Sequence, residues 1–124
     1  MSKVLSLAEP GSKGRARVAL LSNPGSQSSL ARLPRIRAFC ADHPEMFHYE
    51  VEDLGQVGEA MKSIARIRPN LVAINGCEGT LGAAQAALGN GHFVEKPPLV
   101  MLASGRVEKL RQLLEQARSG PLPA

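Results

Sequence analysis

Two short stretches of this 124-residue chain have the residue types and spacing to hold an anion. Asn23-Pro24-Gly25-Ser26 follows one aliphatic run, and Asn75-Gly76-Cys77-Glu78-Gly79-Thr80 follows another. Glycine lets a ligand approach the backbone closely, and the first amides of a helix carry partial positive charge. A phosphate group suits that chemistry. Loops between strands and helices also need glycine simply to turn, so each loop alone is a weak signal. Cys77, at the expected start of a helix, is placed as a nucleophile because helix amides favour a thiolate. Glu78 beside it opposes that charge and no histidine is close in sequence, so a buried structural thiol is the expected state. His43, His48 and His92 have no metal-ligand spacing and are expected on the surface or within strands. Arg32, Arg35 and Arg37 read as a solvated helix face, with an acidic partner or peripheral contact to anionic lipid headgroups as the functional alternatives.

The elements that must position these loops alternate along the chain. Residues 17–22 (RVALLS) and 70–74 (NLVAI) are nearly continuous aliphatic runs, the mark of parallel strands buried on both faces. Residues 46–51 (MFHYEV) alternate and predict a strand nearer an edge, and residues 98–103 (PLVMLA) a fourth strand. Apolar residues recur at helical spacing at Leu30, Leu33, Ile36, Phe39 and Cys40, then at Val57, Met61 and Ile64, and last at Val107, Leu110, Leu113 and Leu114. Pro34 is comfortable only in a first turn, so the first regular helix is expected to begin near Leu33. Residues 81–88 form a helix of mostly small residues that must pack close to the sheet. Four strand-then-helix units predict an α/β domain, a three-layer doubly wound and mostly parallel sheet of about four strands. The expected organisation is a flexible leader over 1–14, the domain over 15–119 and a tail over 120–124.

Composition narrows the function classes. Hydrophobic residues are 44% and charged residues 21%, which excludes disorder throughout. Aromatics are 3% with no Trp, so base-stacking platforms are nearly absent and no nucleic-acid partner is expected. A formal charge of +4 suits an anionic ligand without identifying one. Two cysteines make no disulfide framework, no apolar run approaches the ~20 residues of a membrane span, and residues 1–10 lack a signal-peptide apolar core. A cytoplasmic location is the expectation.

Taken together the two loops are more specific. A strand, Asn-Pro-x-Ser, an αβα segment and a strand leading into Gly-x-Glu-Gly-Thr resemble the catalytic domain of diacylglycerol kinases and related bacterial lipid kinases. That family is shared in outline with sphingosine and NAD kinases. Its motifs read Asn-Pro-x-Ser-Gly after the first strand and Gly-Gly-Asp-Gly-Thr after the third. Asn23, Pro24 and Ser26 match the first; Gly76, Gly79 and Thr80 match the second, with Glu78 in its acidic position. Leu81 with the small-residue helix, and residues 98–102 with Gly105 close behind, also look like the family. The resemblance spans residues 17–114. It implies an ATP-binding lobe, with Mg²⁺, in which residues 76–80 cradle phosphates while Asn23 and Ser26 face the nucleotide.

The departures are chemical. Cys77 replaces the second glycine of the motif; were positive φ needed there, its Cβ would cost on the order of 1 kcal/mol. Glu78 replaces aspartate, one methylene longer. After Gly105 come Arg106, Val107, Glu108 and Lys109 where the family has Gly-Thr-x-Asn-Asp, and only Ser104 offers a hydroxyl. Family members continue into a β-rich second lobe that supplies catalytic carboxylates. The expectation is therefore a nucleotide-binding domain, degenerate or dependent on a partner lobe, which does not phosphorylate a lipid alcohol by itself. The alternative is a non-enzymatic, self-associating α/β interaction domain, with a small cysteine enzyme as a third reading. Either a homo-oligomer or a separate second lobe is the expected partner.

Overall fold

The computed structural model describes residues 16–25, 27–102 and 107–118. Strands β1 (Val18–Ser22), β2 (Met46–Glu50), β3 (Leu71–Asn75) and β4 (Leu99–Met101) alternate with helices α1 (Gln27–Asp42), α2 (Val57–Ile67), α3 (Glu78–Leu88) and α4 (Val107–Arg118). All pairings are parallel and the strand order is β2-β1-β3-β4. The expected α/β fold with a parallel four-stranded sheet is what forms. Ser104 and Gly105, Ser26, and the whole of the expected leader and tail lie outside the described residues.

The central strands explain their own composition. Every residue of β1 and β3 is buried, because helices cover both faces of the sheet. Side chains alternate across it. Val18 and Leu20 pack with Ile36 and Phe39 of α1 and Leu110, Leu113 and Leu114 of α4. Ala19 and Leu21 pack on the other face with Val57, Met61 and Ile64 of α2 and with Ala84 and Ala87 of α3. β2 is an edge strand and only Met46 within it is fully buried.

Three local expectations need correction. α1 is helical from Gln27, not from Leu33, with Pro34 well inside it. Pro34 and Leu30 are both exposed, so water can serve the Leu30 carbonyl that the proline cannot. For the same reason Leu30, counted in the apolar stripe, is 54% exposed. α3 starts at Glu78, three residues before its apolar run. A 3₁₀ turn at Leu54–Gln56, with no periodicity to announce it, leads into α2.

α2 ends abruptly. Arg68 adopts the left-handed conformation (φ 51°), which costs a side-chain-bearing residue about 1 kcal/mol, and Pro69 follows. The Arg17 guanidinium holds this corner, donating to the carbonyls of Ile67 and Arg68 at 2.5 and 3.3 Å. At the far end of α4, Arg118 pairs with Glu45 at 2.6 Å and ties the helix to the start of β2.

Candidate functional site

The chain leaves β1 toward β2 through α1 and returns past it to β3 through α2. The loops after β1 and β3 therefore depart to opposite faces of the sheet at the carboxyl ends of the strands, where doubly wound sheets carry their ligand crevice. Both sequence motifs fall there. The Asn23 amide donates from the backbone to the Asn75 carbonyl at 2.8 Å, extending the ladder past the end of β1. Gly25 N–H then bonds the Asn23 carbonyl at 2.7 Å, a tight turn centred on Pro24, whose fixed φ suits it.

The two loops are joined by side chains. Asn23 Nδ2 donates to Thr80 Oγ1 at 3.1 Å, and both residues are buried. Gly76 makes room for this contact: a Cβ there would stand 2.7 Å from Thr80 Oγ1. Asn23 Oδ1 is buried and has no hydrogen-bond partner among the described residues. Thr80 Oγ1 also lies 3.5 Å from Cys77 Sγ.

Cys77 departs from two expectations. It is exposed, not buried, because it stands at the N-cap, one residue before α3 begins. Its backbone is extended (φ −98°, ψ 179°), so the position carries no left-handed strain and a Cβ fits it freely. The Thr80 hydroxyl foremost, then the amides opening α3, hold the thiol below its ordinary pKa. Glu78 and Gly79 are exposed beside it, and Leu54 from the 3₁₀ turn overhangs Gly79. The structure thus brings Asn23, Pro24, Gly76, Cys77, Glu78, Gly79 and Thr80 to one edge.

A second polar chain runs beneath the crevice on the α1 face, and the sequence motifs missed it. Arg32 is half-buried, not part of a solvated face; its Nη1 donates to Asn75 Oδ1 at 2.9 Å and to the Leu102 carbonyl at 3.0 Å. Asn75 Nδ2 donates to Ser22 Oγ at 3.2 Å, and Ser22 Oγ is 2.7 Å from His48 Nε2. Because Ser22 accepts from the asparagine amide, its own proton is free for His48 Nε2. In the tautomer that accepts this proton, the imidazole N–H is at Nδ1, which faces Glu50 at 3.5 Å. Glu50 also holds Arg37 through two bonds of 2.8 and 2.7 Å. Ser, His and Glu in this sequence of contacts look like a hydrolytic triad. Ser22 is 0% exposed, however, and no substrate carbonyl can reach it. One signal was available: Ser22 and Asn75 are the polar last residues of two otherwise aliphatic strands, and they are register partners.

This chain has a pH consequence. Burial above all holds His48 below the ordinary imidazole pKa, with Glu50 opposing and Arg37 reinforcing the effect. The folded protein keeps His48 neutral while the unfolded chain takes up a proton below about pH 6.5. Between those two pKa values the unfolded state binds more protons, so stability is full above about pH 6.5 and falls as pH drops through the folded value. Denaturant titrations across this range should show that loss in the native protein and a flatter profile in His48→Gln. The same slope in both would reject the assignment.

Elsewhere, a cavity of about 420 Å³ opens at the amino ends of the strands, lined in part by Arg17, Asn70, Phe93, Lys96 and Pro98. No sequence motif falls on it. Among the described residues no group of three His, Cys, Asp or Glu side chains could hold a metal, and no helix is long and apolar enough to cross a membrane. No protein-family model matches the chain, and no curated protein matches it. Fold and site define a doubly wound parallel α/β domain with two hydrogen-bonded polar loops at its topological switch point.

Proposed function

We propose that this domain binds a nucleotide, ATP by its resemblance to the lipid-kinase lobe, with the phosphates at the start of α3. The carrying observation is the Asn23–Thr80 hydrogen bond, which locks the two separate loops into one crevice at the switch point. Glycines at 76 and 79 leave the backbone approachable, and the α3 amides supply donors for phosphate oxygens. The orphaned Asn23 Oδ1 requires a donor, which a nucleotide offers through its hydroxyl or amino groups. For Mg²⁺ the fit is thin: Glu78 is the single carboxylate in the 76–80 loop, so the ion would be held mainly by the phosphates themselves. Acceptor-side groups are not among these residues, and the chain alone is a binder, not a phosphotransferase. Calorimetric titration with Mg-ATP should give weak, measurable binding that Asn23→Ala weakens further by roughly two- to tenfold, the worth of one hydrogen bond. Absence of heat at millimolar nucleotide would sink the reading.

A second reading, self-association as a non-enzymatic module, is favoured by one feature. Leu99, Val100 and Met101 of edge strand β4 are all only half-buried. Light scattering of concentrated protein should then report a dimer or larger species, and a monomer would dismiss it.

A further inference from the structure

The two thiols of the chain sit in opposite surroundings. Cys40, on α1, is half-buried; burial first and Glu50 second push its pKa up to about 11. Cys77 is exposed at the start of α3. Thr80 Oγ1 has one proton and two neighbours, Asn23 Nδ2 at 3.1 Å and Cys77 Sγ at 3.5 Å. The amide can only donate, so the hydroxyl proton is left for the sulfur. Asn23, Thr80 and Cys77 form a relay in which each donor polarises the next, and its last dipole favours a thiolate.

An independent observation points to a ligand at the head of that relay. Asn23 Oδ1 is a buried acceptor without a partner among the described residues, in a residue only 5% exposed. Left unmade, such a bond costs about 1–3 kcal/mol. A Cβ built on exposed Gly25 would have this oxygen as its neighbour, at 3.9 Å. What fits is an N–H donor carried into the crevice beside Cys77.

We propose that Cys77 is a thiol-exchange site for small peptide disulfides, with a peptide N–H of the incoming cysteinyl group docked on Asn23 Oδ1. The Cys77 thiolate attacks one sulfur of the disulfide. A new S–S bond to Cys77 forms as the old one breaks, and the electron pair leaves on the departing thiolate, which takes a proton from solvent. The incoming disulfide is the oxidant, and one thiol is released for each protein modified. The adduct stands over the Gly76–Thr80 turn. That it would shut out phosphate rests on the nucleotide reading; the exchange itself does not.

The test treats the reduced 124-residue chain with oxidised glutathione, without nucleotide, and reads the modified position by peptide mass mapping. Modification should be confined to Cys77 and leave Cys40 untouched. Thr80→Val should slow it about tenfold at neutral pH and move its pH midpoint up, while Thr80→Ser should retain the native rate. Diethyl disulfide, which has no N–H, serves as the reference reagent. The preference for glutathione over it should fall roughly two- to tenfold in Asn23→Ala. Equal labelling of both cysteines, or a native rate in Thr80→Val, would overturn the relay. An unchanged preference in Asn23→Ala would overturn the docking of the N–H. Because no arm contains ATP, a failure of nucleotide binding leaves the outcome of each unaffected.

Discussion

Gly76→Ala should lower the stability of the domain by about 1–3 kcal/mol, whereas Gly82→Ala should raise it by about 0.5–1 kcal/mol. The added methyl group is the same; the surroundings decide the sign. At Gly76 the new Cβ would lie 2.7 Å from Thr80 Oγ1 and 3.1 Å from Thr80 Cβ. Thr80 is 0% exposed and its hydroxyl is held by Asn23, so it has nowhere to retreat without breaking the link between the loops. At Gly82, within α3, a Cβ meets nothing within 4 Å among the described residues, and alanine simply improves helix propensity. Denaturant midpoints of the two variants, measured at one pH, should move in opposite directions. A Gly76→Ala protein as stable as the parent would mean that the Asn23–Thr80 contact is not rigid.

The paired change Cys77→Gly with Glu78→Asp should tighten Mg-ATP by about 1–2 kcal/mol, roughly five- to thirtyfold. The reason differs from the one the sequence proposed. Backbone strain at Cys77 is absent, since φ is −98°. What remains is competition: a thiol held toward its anion by Thr80 and the α3 amides occupies the donors that a phosphate would use. Removing the sulfur frees those donors, and shortening residue 78 draws one negative charge back from the phosphates. Glycine is also an acceptable residue at a helix N-cap, so α3 should persist. Titration calorimetry of each single variant and of the pair separates the contributions. No heat from the paired variant at millimolar Mg-ATP would dispose of the nucleotide reading as a whole.

What could be read in the sequence follows from how many faces each element buries. β1 and β3, covered on both sides, announce themselves as unbroken aliphatic runs, and from their alternation with helices the parallel sheet follows. The loops at 23–26 and 76–80 were legible because glycine and proline are local signals. The buried polar chain was not. Arg32 stands off the apolar stripe of α1, and only tertiary structure shows its stem carrying the guanidinium to a carbonyl 70 residues away. The Ser22–His48 contact depends on strand register, in which His48 lies opposite Leu20 and Ser22 opposite Glu50, and no local pattern encodes that. The exposure of Cys77 turned on where α3 starts. Its first turn is Glu-Gly-Thr, which has none of the apolar spacing used to find the helix.

The central position of β1 also bears on how the chain reaches this structure. Each of its edges pairs with a strand made later, and Ser22 meets Asn75 across 53 residues. Closing such separations loses chain entropy before any ladder is gained, which makes the parallel pairing slow relative to hairpin or helix formation. During synthesis β1 emerges first, yet it can be flanked on both sides only after β3 has left the ribosome. Until then its aliphatic residues and unpaired backbone are an open template for other chains. Nascent fragments ending before residue 75 should therefore be the aggregation-prone species, and a holdase chaperone should bind them through residues 18–22.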